Sequence, residues 1–155
     1  MIGGQRAGFA RVRAAIDRRG IGPLLYRINV SSMVVVRMAR EHVYQDPSWL
    51  SGDRLAAKLA LTRARGARHA SVRFVTGALD RVDSRAAFLD LAGRARVPIL
   101  VVYGARTPRK SLAEIEALAQ LPNVRMERLG TGKLSVHEEF PDAVAPAVLE
   151  FLTGL

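Results

Sequence analysis

The stretch Val97-Pro98-Ile99-Leu100-Val101-Val102-Tyr103-Gly104 constrains the fold of this chain more than any other part of it. It is apolar without a polar interruption and stops at a glycine. A strand with one wet face alternates apolar and polar residues. An unbroken short run instead marks a strand covered on both faces, as in a parallel sheet flanked by helices. Val124-Arg125-Met126-Glu127-Arg128-Leu129 does alternate, which predicts a second, more exposed strand. Between the two, Ile115, Leu118 and Leu121 follow Ser111 at helical spacing, and Pro122-Asn123 closes that helix. Asp142 is expected to cap a last helix whose inner face carries Val144, Val148, Leu149, Phe151 and Leu152. Strand, helix, strand, helix is one βαβ unit with a following helix.

The residues before this unit read as helices. Phe9, Val12 and Ile16 share a helical face, with arginines opposite, until Gly20-Ile21-Gly22-Pro23 breaks the pattern. Residues 24–41 carry a broad apolar surface. Met33 to Val36 also suits a strand, but the length of the segment favours helix. Asp46-Pro47 is a turn. Ser51 or Asp53 caps a helix running to about Arg65, and Gly66 ends it. Residues 70–79 fit helix or strand equally, since Val72, Phe74 and Val75 satisfy both periods. A further helix starts at Asp83 or Ser84. The expected class is α/β and helix-rich, with about two parallel strands near 97–103 and 124–129. Two parallel strands make a poor sheet alone, so the pattern predicts part of a larger sheet.

Composition removes several function classes. The chain has 155 residues, the length of one ordinary domain, and no cysteine. Disulfides, thiol nucleophiles, zinc–thiolate sites and iron–sulfur clusters are therefore out. Arg37 interrupts the apolar run near the start, which is too short to span a bilayer. The first residues lack an apolar core followed by a small-residue cleavage site, so a cytoplasmic chain without a membrane span is expected. The formal charge of +10 suggests an anionic partner. Arginine supplies 21 of the 24 basic residues, and the few aromatics read as core, which disfavours nucleic acid.

Ligands bind open α/β sheets at the carboxyl ends of the strands. Two loops qualify, 104–110 and 130–139. His137 lies in the second, after the last strand, where an imidazole can act as a general base. His69 reads as a surface residue, and His42 as a cation at a helix end or a pocket residue. The three histidines share no metal-ligand spacing, so neither metal nor cofactor is expected. Gly130-Thr131-Gly132-Lys133 lacks the spacing of a phosphate loop. Glu138-Glu139 reads as acids complementing a helix dipole rather than as a catalytic pair.

The run Val97 to Gly104, then helix and strand, then His137-Glu138-Glu139-Phe140-Pro141 with Val144 and Phe151-Leu152, resembles the end of α/β-hydrolases. The likeness covers roughly residues 97–152. It implies a carboxyl-terminal βαβα core segment at 97–155 and cap-like or connecting helices at 1–96, with Tyr26, His42, Tyr44 and Trp49 in the cap or lining a pocket. It also implies serine-type ester or amide hydrolysis of a small-molecule substrate by an intact parent, with His137 as general base. Two departures stand out. No Gly-x-Ser-x-Gly elbow occurs. Ser31-Ser32 lies in an apolar helical context, and Ser135 lacks the glycine frame. At the usual place of the triad acid stands Thr107, which carries no charge to stabilise an imidazolium. Asp80 and Asp83 are the substitutes within the chain. The expectation is a hydrolase portion inactive by itself. The alternatives are a non-catalytic remnant, self-associating or completing its sheet against a partner through an open edge, and a basic anion-binding module.

Overall fold

In the computed structural model, described for residue 14 and residues 21–79, 82 and 84–155, the strands hold the expected places. The strand β1 (Ile99–Gly104) pairs in parallel with β2 (Val124–Leu129), in register from Ile99 opposite Val124 to Gly104 opposite Leu129. β1 begins after Pro98, which has no N–H to give a ladder. The next residue, Ile99, donates to Asn123 O at 2.8 Å. The helix α6 (Arg109–Leu118) makes the crossover, and α7 (Val136–Glu139) and α8 (Pro141–Thr153) follow β2. Over the described residues the chain is helix-rich α/β with two parallel strands in one sheet.

Upstream lie α1 (Ile21–Asn29), α2 (Ser32–Met38), α3 (Gly52–Arg63), α4 (Ala67–Val75) and α5 (Arg85–Gly93). A wide π-helical turn, Ala39–Val43, extends α2. Where one helix is expected over 24–41, two form. Ser31 N–H turns back to Ile28 O at 3.2 Å, and a new ladder starts with Val35 N–H on Ser31 O at 2.9 Å. Asn29, Val30 and Ser31 combine a β-branched residue with side chains that compete for backbone bonds, which makes this the weak point of the run. The ambiguous 70–79 segment is helical through Val75. Gly66, at φ +83°, turns the chain sharply out of α3 into α4, and Thr76 bonds its hydroxyl to Val72 O at 2.6 Å. Ser84 caps α5 through Ala87 N–H at 3.1 Å. α8 starts one residue before the expected Asp142 cap, because Pro141 suits the first helical position and Asp142 falls inside the first turn. The expected helix over Phe9, Val12 and Ile16, and the acids Asp80 and Asp83, lie outside the described residues.

The chain divides into two compact units, one of Met1–Arg37 with Leu50–Phe88, the other of Met38–Trp49 with Leu89–Leu155. In the first, Val72, Thr76 and Leu50 are buried, and α3 packs on α4. In the second, Ala39, Tyr44, Thr107 and Val136 are buried, and α8 packs on both strands. Arg125 of β2 pairs with Glu150 of α8. That carboxylate raises the guanidinium pKa by hydrogen bonding and charge, which leaves an already permanent cation charged. Many large apolar side chains stay open, among them Leu24, Met33, Leu61, Phe74, Leu149 and Leu152. No helix among the described residues is long and apolar enough to cross a membrane.

Candidate functional site at the carboxyl ends of the strands

β1 and β2 deliver two loops to one place. Gly104, buried at the end of β1, lies against the backbone of Thr131 and Gly132 so closely that a Cβ on Gly104 would overlap the Gly132 carbonyl. Gly132 holds φ +88°, and its own missing Cβ would fall 2.6 Å from Val136 Cγ2. Arg106 N–H closes the junction on Gly132 O at 3.0 Å. Glycine is required at both positions by close approach, and at Gly132 also by its backbone angle.

Thr107 is buried and turned inward. Its hydroxyl donates to Gly104 O at 2.8 Å, and its N–H donates to the same carbonyl at 3.1 Å. This side chain closes a turn. No hydrogen bond or ion pair joins it to His137 among the described residues. His137 sits on α7, one residue after the buried Val136, and its side chain is 66% exposed. Nε2 lies 3.9 Å from Glu138 Oε1, beyond hydrogen-bond range but close enough for attraction when the imidazole is charged. Tyr44 hydroxyl donates to the other oxygen, Glu138 Oε2, at 2.8 Å. Tyr44, Glu138 and His137 thus form a row that the sequence does not show, because Tyr44 lies 94 positions from Glu138.

The segment 40–49 is bound to the loop after β2 along its length. Lys133 Nζ donates to Arg40 O at 2.7 Å, at the carbonyl end of the π-helical turn. Ser135 N–H bonds Val43 O at 3.1 Å. Gln45 Oε1 accepts Gly132 N–H at 2.8 Å and Thr131 Oγ1 at 3.1 Å. Glu139 accepts the backbone N–H of Gln45 at 2.7 Å and of Asp46 at 2.6 Å, one on each oxygen. Tyr44 is buried, and Trp49 stacks on it with ring centroids 4.3 Å apart. The glycine–lysine loop and the Glu138-Glu139 pair thus have a specific use here. Rather than serving a helix dipole alone, both acids hold a second segment of chain. The only sequence signal was a pair of adjacent acids beside the histidine.

The other expected residues stay apart from this place. His42 lies in the π-helical turn, half exposed, 3.7 Å from Glu41. His69 is exposed on α4 with Nε2 3.1 Å from Arg68 Nη2. Ser31 begins the α2 ladder, and Ser135 precedes α7 and accepts Glu138 N–H on its carbonyl at 3.0 Å. Among the described residues no group of three histidines and acids is placed to hold a metal ion. No protein-family model, curated protein or solved structure matches the chain.

Proposed function

We propose that this chain is the carboxyl-terminal part of an α/β-fold hydrolase, inactive by itself, in which His137 is the general base. The supporting observation is the junction of Gly104 with Gly132, which brings the ends of both parallel strands together with the exposed His137 five residues beyond. In this reading His137 takes the proton of a serine supplied on another segment and later activates water, and the substrate is a small ester or amide. Glu138, held by Tyr44 near Nε2 of His137, stabilises the imidazolium that Thr107 has no charge to support, which leaves Nδ1 to take the proton. Reading the genomic sequence in frame upstream of the Met1 codon tests the proposal. Strand-like segments with a Gly-x-Ser-x-Gly elbow are expected. The protein carrying that segment is expected to cleave p-nitrophenyl acetate, and His137→Ala to slow it by about 10²- to 10⁴-fold. A stop codon or unrelated sequence there, or an unchanged rate in the variant, overturns it.

One observation favours a second reading, a non-catalytic protein that completes its sheet with a partner. Among the described residues, β1 and β2 pair only with each other, so each has an outer edge of backbone groups free to pair. Sedimentation equilibrium checks this. Association that rises with concentration supports it, and a monomer at all concentrations counts against self-association.

A further inference from the structure

Charge is divided unequally between the two units. The first has 15 basic and 4 acidic residues in its sequence, a net +11; the second has 9 basic and 10 acidic, a net −1. The whole excess of the chain therefore belongs to the helical unit, and that unit contains a cleft of about 380 Å³ between α1 and α3. Val30 and Leu59 supply an apolar wall, and Tyr26 and Thr62 join the helices through a bond from the tyrosine hydroxyl to Thr62 O at 3.2 Å. Arg27 and Arg63 line the same cleft, one from each helix.

We propose that this cleft binds an anionic amphiphile, a medium-chain carboxylate or alkyl phosphate, with the acid head between Arg27 and Arg63 and the chain along Val30 and Leu59. Both arginines are exposed, and neither side chain has a hydrogen bond or ion pair among the described residues. Each lies in the last turn of its helix, where one cation offsets the helix dipole. A helix end carries roughly half a negative charge. Two full guanidinium charges therefore leave an excess of about one positive charge beside the cleft, enough to match one monoanion. The volume lies at the small end of ligand pockets, which run from about 300 to 1,000 Å³. Arginine stems also continue an apolar wall while their heads stay in water. A nucleic acid makes no use of the apolar wall, and a bare anion leaves it wet. The site is independent of His137 and of the hydrolase reading.

Isothermal titration calorimetry of the full chain with decanoate, below its micelle concentration, tests the proposal. Saturable binding of one decanoate is expected, with decanol, acetate and inorganic phosphate each at least about tenfold weaker. Arg27→Gln with Arg63→Gln is expected to weaken decanoate binding about tenfold or more, and unchanged circular dichroism checks that the exposed substitutions leave the fold intact. Failure to saturate with decanoate overturns the proposal. So does acetate or phosphate binding as tightly, which makes this a bare anion site. Decanol binding as tightly removes the role of charge, and unchanged decanoate binding by the double variant places the ligand elsewhere. Retention on phosphatidylglycerol vesicles without saturable decanoate binding also overturns it, in favour of docking on a lipid surface.

Discussion

The carboxylate of Glu138 stands between two aromatic rings, the phenol of Tyr44 at 2.8 Å and the imidazole of His137 at 3.9 Å. The first contact is a full hydrogen bond from a buried ring, and the second an ion pair at its outer range. Tyr44 therefore fixes Glu138, and Glu138 is placed to orient His137 when that ring is charged. Tyr44→Phe keeps the ring and loses the hydroxyl. It is expected to cost about 1.5–3 kcal/mol in urea unfolding, the range for a hydrogen bond to a charged group, and Tyr44→Ala about 3–5 kcal/mol, as for a buried aromatic. Emission from Trp49, the single tryptophan, should change in the alanine variant, because its stacking partner is gone.

Glu139 is expected to matter more to stability than its position beside a short helix implies. It satisfies two backbone N–H groups from a distant segment. Glu139→Ala should lower unfolding free energy by about 1.5–3 kcal/mol, the range for hydrogen bonds to a charged group. Glu139→Gln keeps one acceptor and should lose less. Equal losses in the two variants would argue that the charge, and not the pair of bonds, holds the segment.

Gly104→Ala places a methyl group into the Gly132 backbone. Overpacking of this kind typically costs about 1–3 kcal/mol. The obstacle is main chain, which has no rotamer to yield, so the upper end is expected. A melting temperature matching that of the parent would show that the two loops separate readily.

His137→Ala is expected to leave stability within about 0.5 kcal/mol of the parent, as for an open surface position, whatever its effect on hydrolysis. Substantial unfolding would mean that the histidine holds structure and would remove the reason to assign it chemistry.

Asn123 Nδ2 donates to Ala92 O at 2.9 Å and to Ala95 O at 3.2 Å, tying the end of α5 to the start of β2. Asn123→Ala should cost about 1–3 kcal/mol by leaving those carbonyls unpaired. Asn123→Asp, which offers no donor, should be no better. Denaturant unfolding of both variants checks this.

The strands were legible in place, because the apolar run and its Pro98 and Gly104 limits agree with the pairing. The alternation read in Val124–Leu129 carries over less well: Arg125 and Arg128 are exposed but lie three positions apart, on opposite faces, and Glu127 is half-buried. Pro98 sets the start of β1, and Gly104 its end. Helix limits were legible where a turn residue enforced them, as Gly66 does. Asn29-Val30-Ser31 carries no glycine or proline, and its break emerges only from competition among weak preferences. The binding of 40–49 to the loop after β2 left little trace in the sequence, since several of the bonds end on backbone groups of Gln45, Asp46, Val43 and Arg40 that any residue but proline would offer. Thr107 shows the opposite case. Its lack of charge was visible at once, while its use in closing a turn on Gly104 O needed the fold.

The chain enters the unit of the two strands at Met38, leaves it after Trp49, and returns at Leu89. That unit is therefore discontinuous in sequence. A recombinant fragment beginning at Leu89 would carry both strands and His137 but would present the acceptors of Glu138 and Glu139 to water. Supplying residues 38–49 as a separate peptide should restore what the cut removed, so this protein lends itself to complementation by halves rather than to simple truncation. During synthesis the same layout sets an order of events. The bonds of this early segment to Gly132, Lys133, Glu138 and Glu139 wait until the ribosome has made those residues, and a long loop closes when they form.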